Sequence, residues 1–254
     1  MNVNPLRSIW NQGRPAVGSY IMYSRDVATV EIAAAAGLHF VIFDLEHRPL
    51  DTYTIHDLCQ VARLAGMAAL VGPKDITTHA ISHALDLGAS GVVIPHVRTP
   101  AEVEIAIKAV RYPPIGRRGR CGTSGHDLYH GSPADEEISH YNQDVALMLK
   151  VESEEAIDQL DDLVAPVGVD GMMVGPSDLA LDLGLGGQSG HPKVKQCIEK
   201  VRKACRNRGI QFGTFIGSAD EVPLAVEQGA SWIVVNSELG FLAESWKRVG
   251  ESVA

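Results

Sequence analysis

Eight times along this chain a short apolar run gives way to a longer amphipathic stretch, and that repeat restricts the fold more than any other feature. The apolar runs fall at residues 19–23, 39–43, 68–71, 91–95, 146–151, 171–174, 211–215 and 232–235. Their lengths suit β-strands. The stretches that follow, at 26–36, 51–65, 77–87, 100–110, 154–163, 192–208, 219–227 and from 237 onward, have the length and spacing of helices. Several of these stretches stop on a glycine: Gly37, Gly66, Gly88, Gly209 and Gly229. A glycine there accepts the left-handed backbone that closes a helix before the next strand. Eight βα units in 254 residues predict one α/β domain over residues 1–254, a (β/α)8 TIM barrel. The competing arrangement is an open doubly wound sheet. That fold usually carries a glycine-rich phosphate loop in its first βα turn, and Tyr23-Ser-Arg-Asp26 contains no glycine.

Charge and cysteines narrow the function classes. A net charge of −9 repels phosphate backbones and acidic lipid, so neither nucleic acid nor a membrane is an expected partner. No apolar run reaches the roughly 18 residues that span a bilayer. The first fifteen residues are polar and lack the apolar core of a signal peptide. The four cysteines, Cys59, Cys121, Cys197 and Cys205, form no CxxC pair. They read as free thiols in a reducing compartment, which makes the cytoplasm the expected location.

In such a barrel, reactive groups sit where strands end and βα loops begin. The second strand ends in Asp44-Leu-Glu-His47, which places two carboxylates and an imidazole at the rim. These groups can bind metal, orient a base, or be one; they can also simply satisfy neighbouring donors. The fifth strand ends in Lys150-Val-Glu152, and the sixth runs into Gly175-Pro-Ser-Asp178. Glu152 and Asp178 thus lie on adjacent strands at one rim. Two oxygen ligands completed by waters and a chelating substrate make an octahedral site for Mg²⁺, Mn²⁺ or Co²⁺. Asp178 can equally cap a short helix beginning near Leu179. Gly175 permits close approach of a ligand, and exposed backbone N–H groups there can hold a carboxylate. Lys150, beside Glu152, is expected to point to the other side of its strand.

The segment from 112 to 142 is long for a loop in a compact domain. Arg111, Arg117, Arg118 and Arg120 enter it as a basic run that can steer an acidic substrate or bind another subunit. His126, His130 and His140 lack metal-site spacing and read as surface or interface residues. His79, His83 and His96 read as helix-surface or structural histidines.

Four blocks carry a family resemblance: Phe43-Asp-Leu-Glu-His47; Leu85-Asp-Leu-Gly88 with Val93-Ile-Pro95; Arg111 through Gly119; and Val151-Glu152 with Val174-Gly-Pro-Ser-Asp-Leu179. In this order and spacing they resemble the HpcH/HpaI family of class II, metal-dependent 2-oxo-acid aldolases, from about Gly18 to Trp246. The resemblance implies a barrel of the phosphoenolpyruvate/pyruvate type. It implies that Glu152 and Asp178 hold the divalent metal, and that His47 is the acid/base group, acting through a water and positioned by Asp44. Gly175, Pro176 and Ser177 would lie against the 2-oxo acid. Asp86 would assist from near a subunit interface in a homo-oligomer, a hexamer in several members, with the C-terminal helix exchanged between subunits. The implied reaction is cleavage or formation of a 4-hydroxy-2-oxo acid from pyruvate, or a related 2-oxo acid, and an aldehyde.

One departure is marked. Members of the family carry an arginine at the end of the third strand, where this chain has Gly72. That arginine contacts the keto oxygen, a contact worth several kcal/mol in a transition state. Either another cation, with Lys74, Arg25 and Arg98 as candidates, takes its place in the substrate site, or the chemistry has changed. The alternatives are a citrate-synthase-like condensation, a non-pyruvate substrate, or a non-catalytic binding protein.

Overall fold

A computed structural model of the chain describes residues 3–131 and 133–252. Eight parallel strands close into a barrel in sequence order. They are β1 (Ala16–Ile21), β2 (Phe40–Asp44), β3 (Ala68–Gly72), β4 (Gly91–Ile94), β5 (Ala146–Val151), β6 (Gly171–Val174), β7 (Gln211–Ile216) and β8 (Trp232–Ser237). The helices in chain order are α1 (Pro5–Asn11), α2 (Val27–Ala35), α3 (Thr52–Leu64), α4 (Thr78–Asp86), α5 (Pro100–Val110), α6 (Ala134–Asp144), α7 (Glu154–Asp158), α8 (Leu160–Val164), α9 (Pro176–Asp182), α10 (Pro192–Arg208), α11 (Val222–Glu227) and α12 (Glu238–Glu251). The predicted TIM barrel is therefore the observed fold.

The first strand begins three residues earlier than the apolar run suggests. Gly18 breaks the pattern in the sequence, and the barrel requires it. A Cβ at Gly18 would overlap the ring and carbonyl of Phe40. With Trp232, whose ring lies 6.2 Å from that of Phe40, this side chain fills the barrel interior. A second apolar shell, between strands and helices, includes Phe43, Val71, Ile94 and Leu147.

Helix α1, absent from the sequence reading, covers the end where the strands begin. Leu6 is buried with the barrel-interior residues, and Arg7 pairs with Asp170 at 2.7 Å. Helix α6 occupies the second half of the segment expected to be a loop. This segment joins α5 to the start of β5, so it belongs to the end of the barrel opposite the strand C-termini. Three arginines of the basic run are held there in internal pairs. Arg111 donates to Val145 O and meets Asp170 at 3.2 Å; Arg118 meets Asp86 at 2.8 Å; Arg120 meets Glu137 at 2.6 Å. His126 is buried rather than exposed, tilted against Tyr141 at 3.7 Å between ring centres. Cys59, Cys197 and Cys205 are buried free thiols, and Cys121 is exposed. No helix among the described residues is long and apolar enough to cross a membrane.

Candidate active site

At the C-terminal rim the strands deliver their last residues into a cavity of about 240 Å³. Period-two alternation sends Ile42 and Asp44 of β2, Gly72 of β3, Val93 of β4, Lys150 of β5 and Met173 of β6 inward to line it. Tyr20, Glu46, His47, Gly175, Pro176, Ser177, Asp178 and Phe215 complete the polar and aromatic walls. Asp44, His47, Gly72, Gly175, Pro176, Ser177 and Asp178 thus all line this one cavity.

Asp44 shapes the loop that presents His47. Its Oδ1 accepts the backbone N–H groups of Glu46 at 2.8 Å and His47 at 3.2 Å. This side-chain turn folds the chain back at the strand end and fixes where the imidazole departs. His47 is more than half exposed, with Nε2 3.6 Å from Glu46 Oε2.

Glu152 lies behind the cavity wall, with its side chain fully buried. Oε1 is 2.6 Å from the Lys150 ammonium, and Oε2 accepts the His96 N–H at 2.9 Å. The His96 ring bridges two carboxylates: Nδ1 is 3.2 Å from Glu152 Oε2, and Nε2 is 2.7 Å from Glu46 Oε1. To reach this position His96 takes a left-handed backbone, φ 49°, which is uncommon for a residue with a side chain. His96 is thus a rim residue, not a helix-surface one. His79 and His83 do lie on the surface of α4, stacked at 5.7 Å.

Lys150 corrects a second reading. It stands two residues from Glu152, so alternation puts both side chains on one side of the strand, where they meet at 2.6 Å, and Lys150 lines the cavity. Burial pulls the Lys150 pKa down, but Tyr20, Glu152 and Glu46 outweigh that and hold it above the usual lysine value. Burial raises the Glu152 pKa, and Lys150 and His96 oppose the shift. Burial is also the main reason that the Tyr20 hydroxyl is pushed up to about 12, which keeps it a neutral donor.

Two donor groups stand at this rim: the expected pair Glu152 and Asp178, and a separate cluster of Glu46, His47 and His96 that contains neither of them. Glu152 Oε1 is buried and, apart from the ion pair with Lys150, receives no directed hydrogen bond among the described residues. Asp178 sits in the first turn of α9 and does not cap it; the N-cap position belongs to Gly175. Glu46, His47 and His96 each offer one ligand atom, all within 4.8 Å of one another. Carboxylate and imidazole donors suit a divalent cation that does not depend on thiolates.

Two residues lie elsewhere. Asp86 ends α4 at the opposite end of the barrel, paired with Arg118. Lys74 is exposed beyond β3 and does not line the cavity.

The model of the HpcH/HpaI aldolase/citrate lyase family matches residues 20–244. The chain belongs to that family. It is an enzyme family, and the relatives of this member carry aldolase, that is carbon–carbon lyase, names. The pyruvate aldolase of Rhizobium etli is 30% identical over 241 residues, covering 95% of this chain and 94% of that one. The 5-keto-4-deoxy-D-glucarate aldolase of Escherichia coli K12 is 29% identical over 236 residues, covering 93% and 91%. A crystal structure of an HpcH/HpaI aldolase from Desulfitobacterium hafniense DCB-2 superposes with a TM-score of 0.94 at 30% identity, covering 99% of this chain and 97% of that one. An HpcH/HpaI member is thereby expected to be a metal-dependent lyase.

Proposed function

We propose that this chain is a metal-dependent aldolase that cleaves or forms a 4-hydroxy-2-oxo acid, with pyruvate or a close relative as the 2-oxo acid. The observation that carries the reading is the convergence of Asp44, Glu46, His47, Lys150 and Asp178 on one small cavity at the strand C-termini, with Glu152 directly behind it. Glu152 and Asp178 would hold the cation, and His96 and Glu46 lie close enough to adjust its surroundings. When bound, the cation supplies Lewis-acid stabilisation of the negative charge that develops on the ketone oxygen as the C–C bond breaks.

The rest falls to the chain's own groups. His47, an imidazole presented to the cavity by the Asp44 turn, moves the 4-hydroxyl proton, a task suited to this side-chain type near neutral pH. No side chain caps α9, so the backbone N–H of Ser177 is available to the substrate carboxylate. Pro176 and Gly175 bring that backbone close. Ile42, Val93, Met173 and Phe215 keep the reacting carbons out of bulk water.

We further propose a homo-oligomer assembled through α12, with Asp86 assisting from a neighbouring subunit, since within one chain it is remote from the cavity. The test of the activity is exchange of the pyruvate C3 protons in D₂O, followed by NMR with Mg²⁺, Mn²⁺ or Co²⁺ and with an EDTA control. Metal-dependent exchange is expected. A folded chain that binds metal and exchanges nothing would overturn the aldolase reading in favour of another reaction on the same scaffold.

A further inference from the structure

The third strand ends in a residue with no side chain, and the space beside it is open. A Cβ built on Gly72 would meet nothing nearer than Val93 O at 3.7 Å and Phe43 O at 3.8 Å. The rim around it is acidic: Asp44, Glu46 and Asp178 all line the cavity, and Glu152 lies behind it. An anionic 2-oxo acid entering such a site meets carboxylates on several sides, and each repels it. A bound cation would offset part of that repulsion, and a cationic side chain would offset more of it.

Among the described residues, Lys150 is the only lysine or arginine that lines the cavity. The other basic groups near this end are committed or remote. Arg25 donates to Pro49 O at 2.9 Å and meets Asp51 at 3.9 Å. Arg48 approaches Asp44 at 3.9 Å and lies over the Tyr23 ring. Lys74 and Arg98 are exposed and outside the cavity. Lys150 stands on β5 across β4 from Gly72, with both side-chain positions directed into the same space.

We propose that Lys150 is the cationic residue that binds the 2-oxo acid and steadies its developing enolate, occupying the role left open by Gly72. The proposal rests on the aldolase reading above and assigns one of its groups. The contact is a charge-assisted hydrogen bond from Nζ to a substrate oxygen. No bond to carbon forms, so Lys150 stays a donor throughout. Its present partner, Glu152 Oε1, is the carboxylate proposed to hold the cation. A cation held by Glu152 would compete for that oxygen and leave the ammonium free to face the cavity.

The experiment is calorimetric titration of oxalate, a stable mimic of the pyruvate enolate, into the Mn²⁺-loaded chain, with Mn²⁺ affinity measured separately. Three chains are compared: wild type, Lys150→Gln, and Lys150→Gln combined with Gly72→Arg. Glutamine keeps a hydrogen-bond donor for Glu152, and circular dichroism checks that each variant is folded. Loss of a charged contact in Lys150→Gln should weaken oxalate by about tenfold or more. Mn²⁺ affinity should stay the same or tighten, because a competing cation has left Glu152. The added Gly72→Arg should restore most of the oxalate affinity, since a side chain fits there, and should restore pyruvate proton exchange along with it. A lysine with a merely structural role would not be rescued from another strand.

Oxalate binding unchanged in a folded Lys150→Gln would overturn the assignment and leave the aldolase reading intact. A wild type that exchanges no pyruvate protons and binds no oxalate with any of the metals would overturn both. A pyruvate adduct on Lys150 trapped by borohydride would overturn the donor role in favour of a covalent one.

Discussion

At Gly175 a single hydrogen in place of a side chain decides whether Glu152 has room. A Cβ there would overlap the Glu152 carboxylate and its Cγ, and Glu152 is walled in by Lys150 and His96 on its other sides. Gly175→Ala should therefore displace the carboxylate and weaken Mn²⁺ binding by about 10–100-fold, the range expected when the support of a metal ligand is disturbed. Titration of Mn²⁺ followed by calorimetry or electron paramagnetic resonance checks this, and unchanged affinity would remove Glu152 from the ligand set. Most single site residues were legible because the rim rule needs only the strand ends. Asp44, His47 and Asp178 follow from it directly. His96 and Lys150 obey the same rules: the first follows strand β4, and the second shares the parity of Glu152. A lone histidine is more often a surface residue, so His96 carries no signal of its own, and Lys150 lies two residues from Glu152, on the same side of β5 rather than the opposite one. The pairing of His96 with two carboxylates has no local signal, since Glu46 and Glu152 come from strands far apart in sequence.

Elements show the same division. Helix α10 was legible to the residue, because Pro192 opens it and Gly209, at φ 73°, closes it. Helix α6 was hidden in a polar, glycine-rich surrounding, although Pro133 and the acidic first turn of Asp135, Glu136 and Glu137 are ordinary helix-start signals. What α6 does could not be read locally. It presses Tyr141 onto His126, whose Nε2 must accept from Arg118 Nη1, because guanidinium cannot accept. Burial first, then the positive charges of Arg118, Arg63 and His140, hold the His126 pKa well below its usual 6.5. The sign follows from linkage. Above about pH 6.5 the imidazole is neutral in both folded and unfolded chains, and its contribution is fully present. As pH falls below that value the unfolded chain takes up a proton that the folded chain refuses. Stability is then lost at up to about 1.4 kcal/mol per pH unit from this one group, until its folded pKa is reached. In His126→Gln, which can still accept from Arg118, urea midpoints should fall less steeply between pH 6.5 and 5. An unchanged slope would place the acid sensitivity elsewhere, with His39, also shifted down by burial, the next group to test.

At the scale of the whole molecule, helix α12 differs from the other α-helices among the described residues, each of which buries at least one residue. Helix α12 begins firmly: Glu238 accepts the N–H groups of Met22, Tyr23 and Ser24 and so anchors the loop after β1. Beyond that anchor it buries none of its residues. Leu239, Leu242, Trp246 and Val249, spaced three, four and three apart, form one apolar stripe, and Trp246 is 70% exposed. An apolar groove lined by Ile32, Ala33, Leu38, Phe241 and Leu242 runs between α2 and α12. A stripe and a groove on the same chain are self-complementary, so a second copy related by a two-fold axis can bury both at once. The family resemblance implies only a homo-oligomer with its last helix exchanged, and periodicity cannot add the packing, because an amphipathic helix looks the same whether its apolar face meets its own barrel or another's. The wild type should therefore run in sedimentation as an assembly of the 27.2 kDa chain, and Trp246→Glu should shift it toward smaller species. Burying an unpaired carboxylate in such a contact costs several kcal/mol, enough to change association by about a thousandfold or more. If Asp86 reaches a neighbour's cavity, the same variant should lose pyruvate exchange as the assembly dissociates, in proportion to the fraction of smaller species. A monomeric wild type with full activity would mean that α12 packs alone and that Asp86 serves only Arg118.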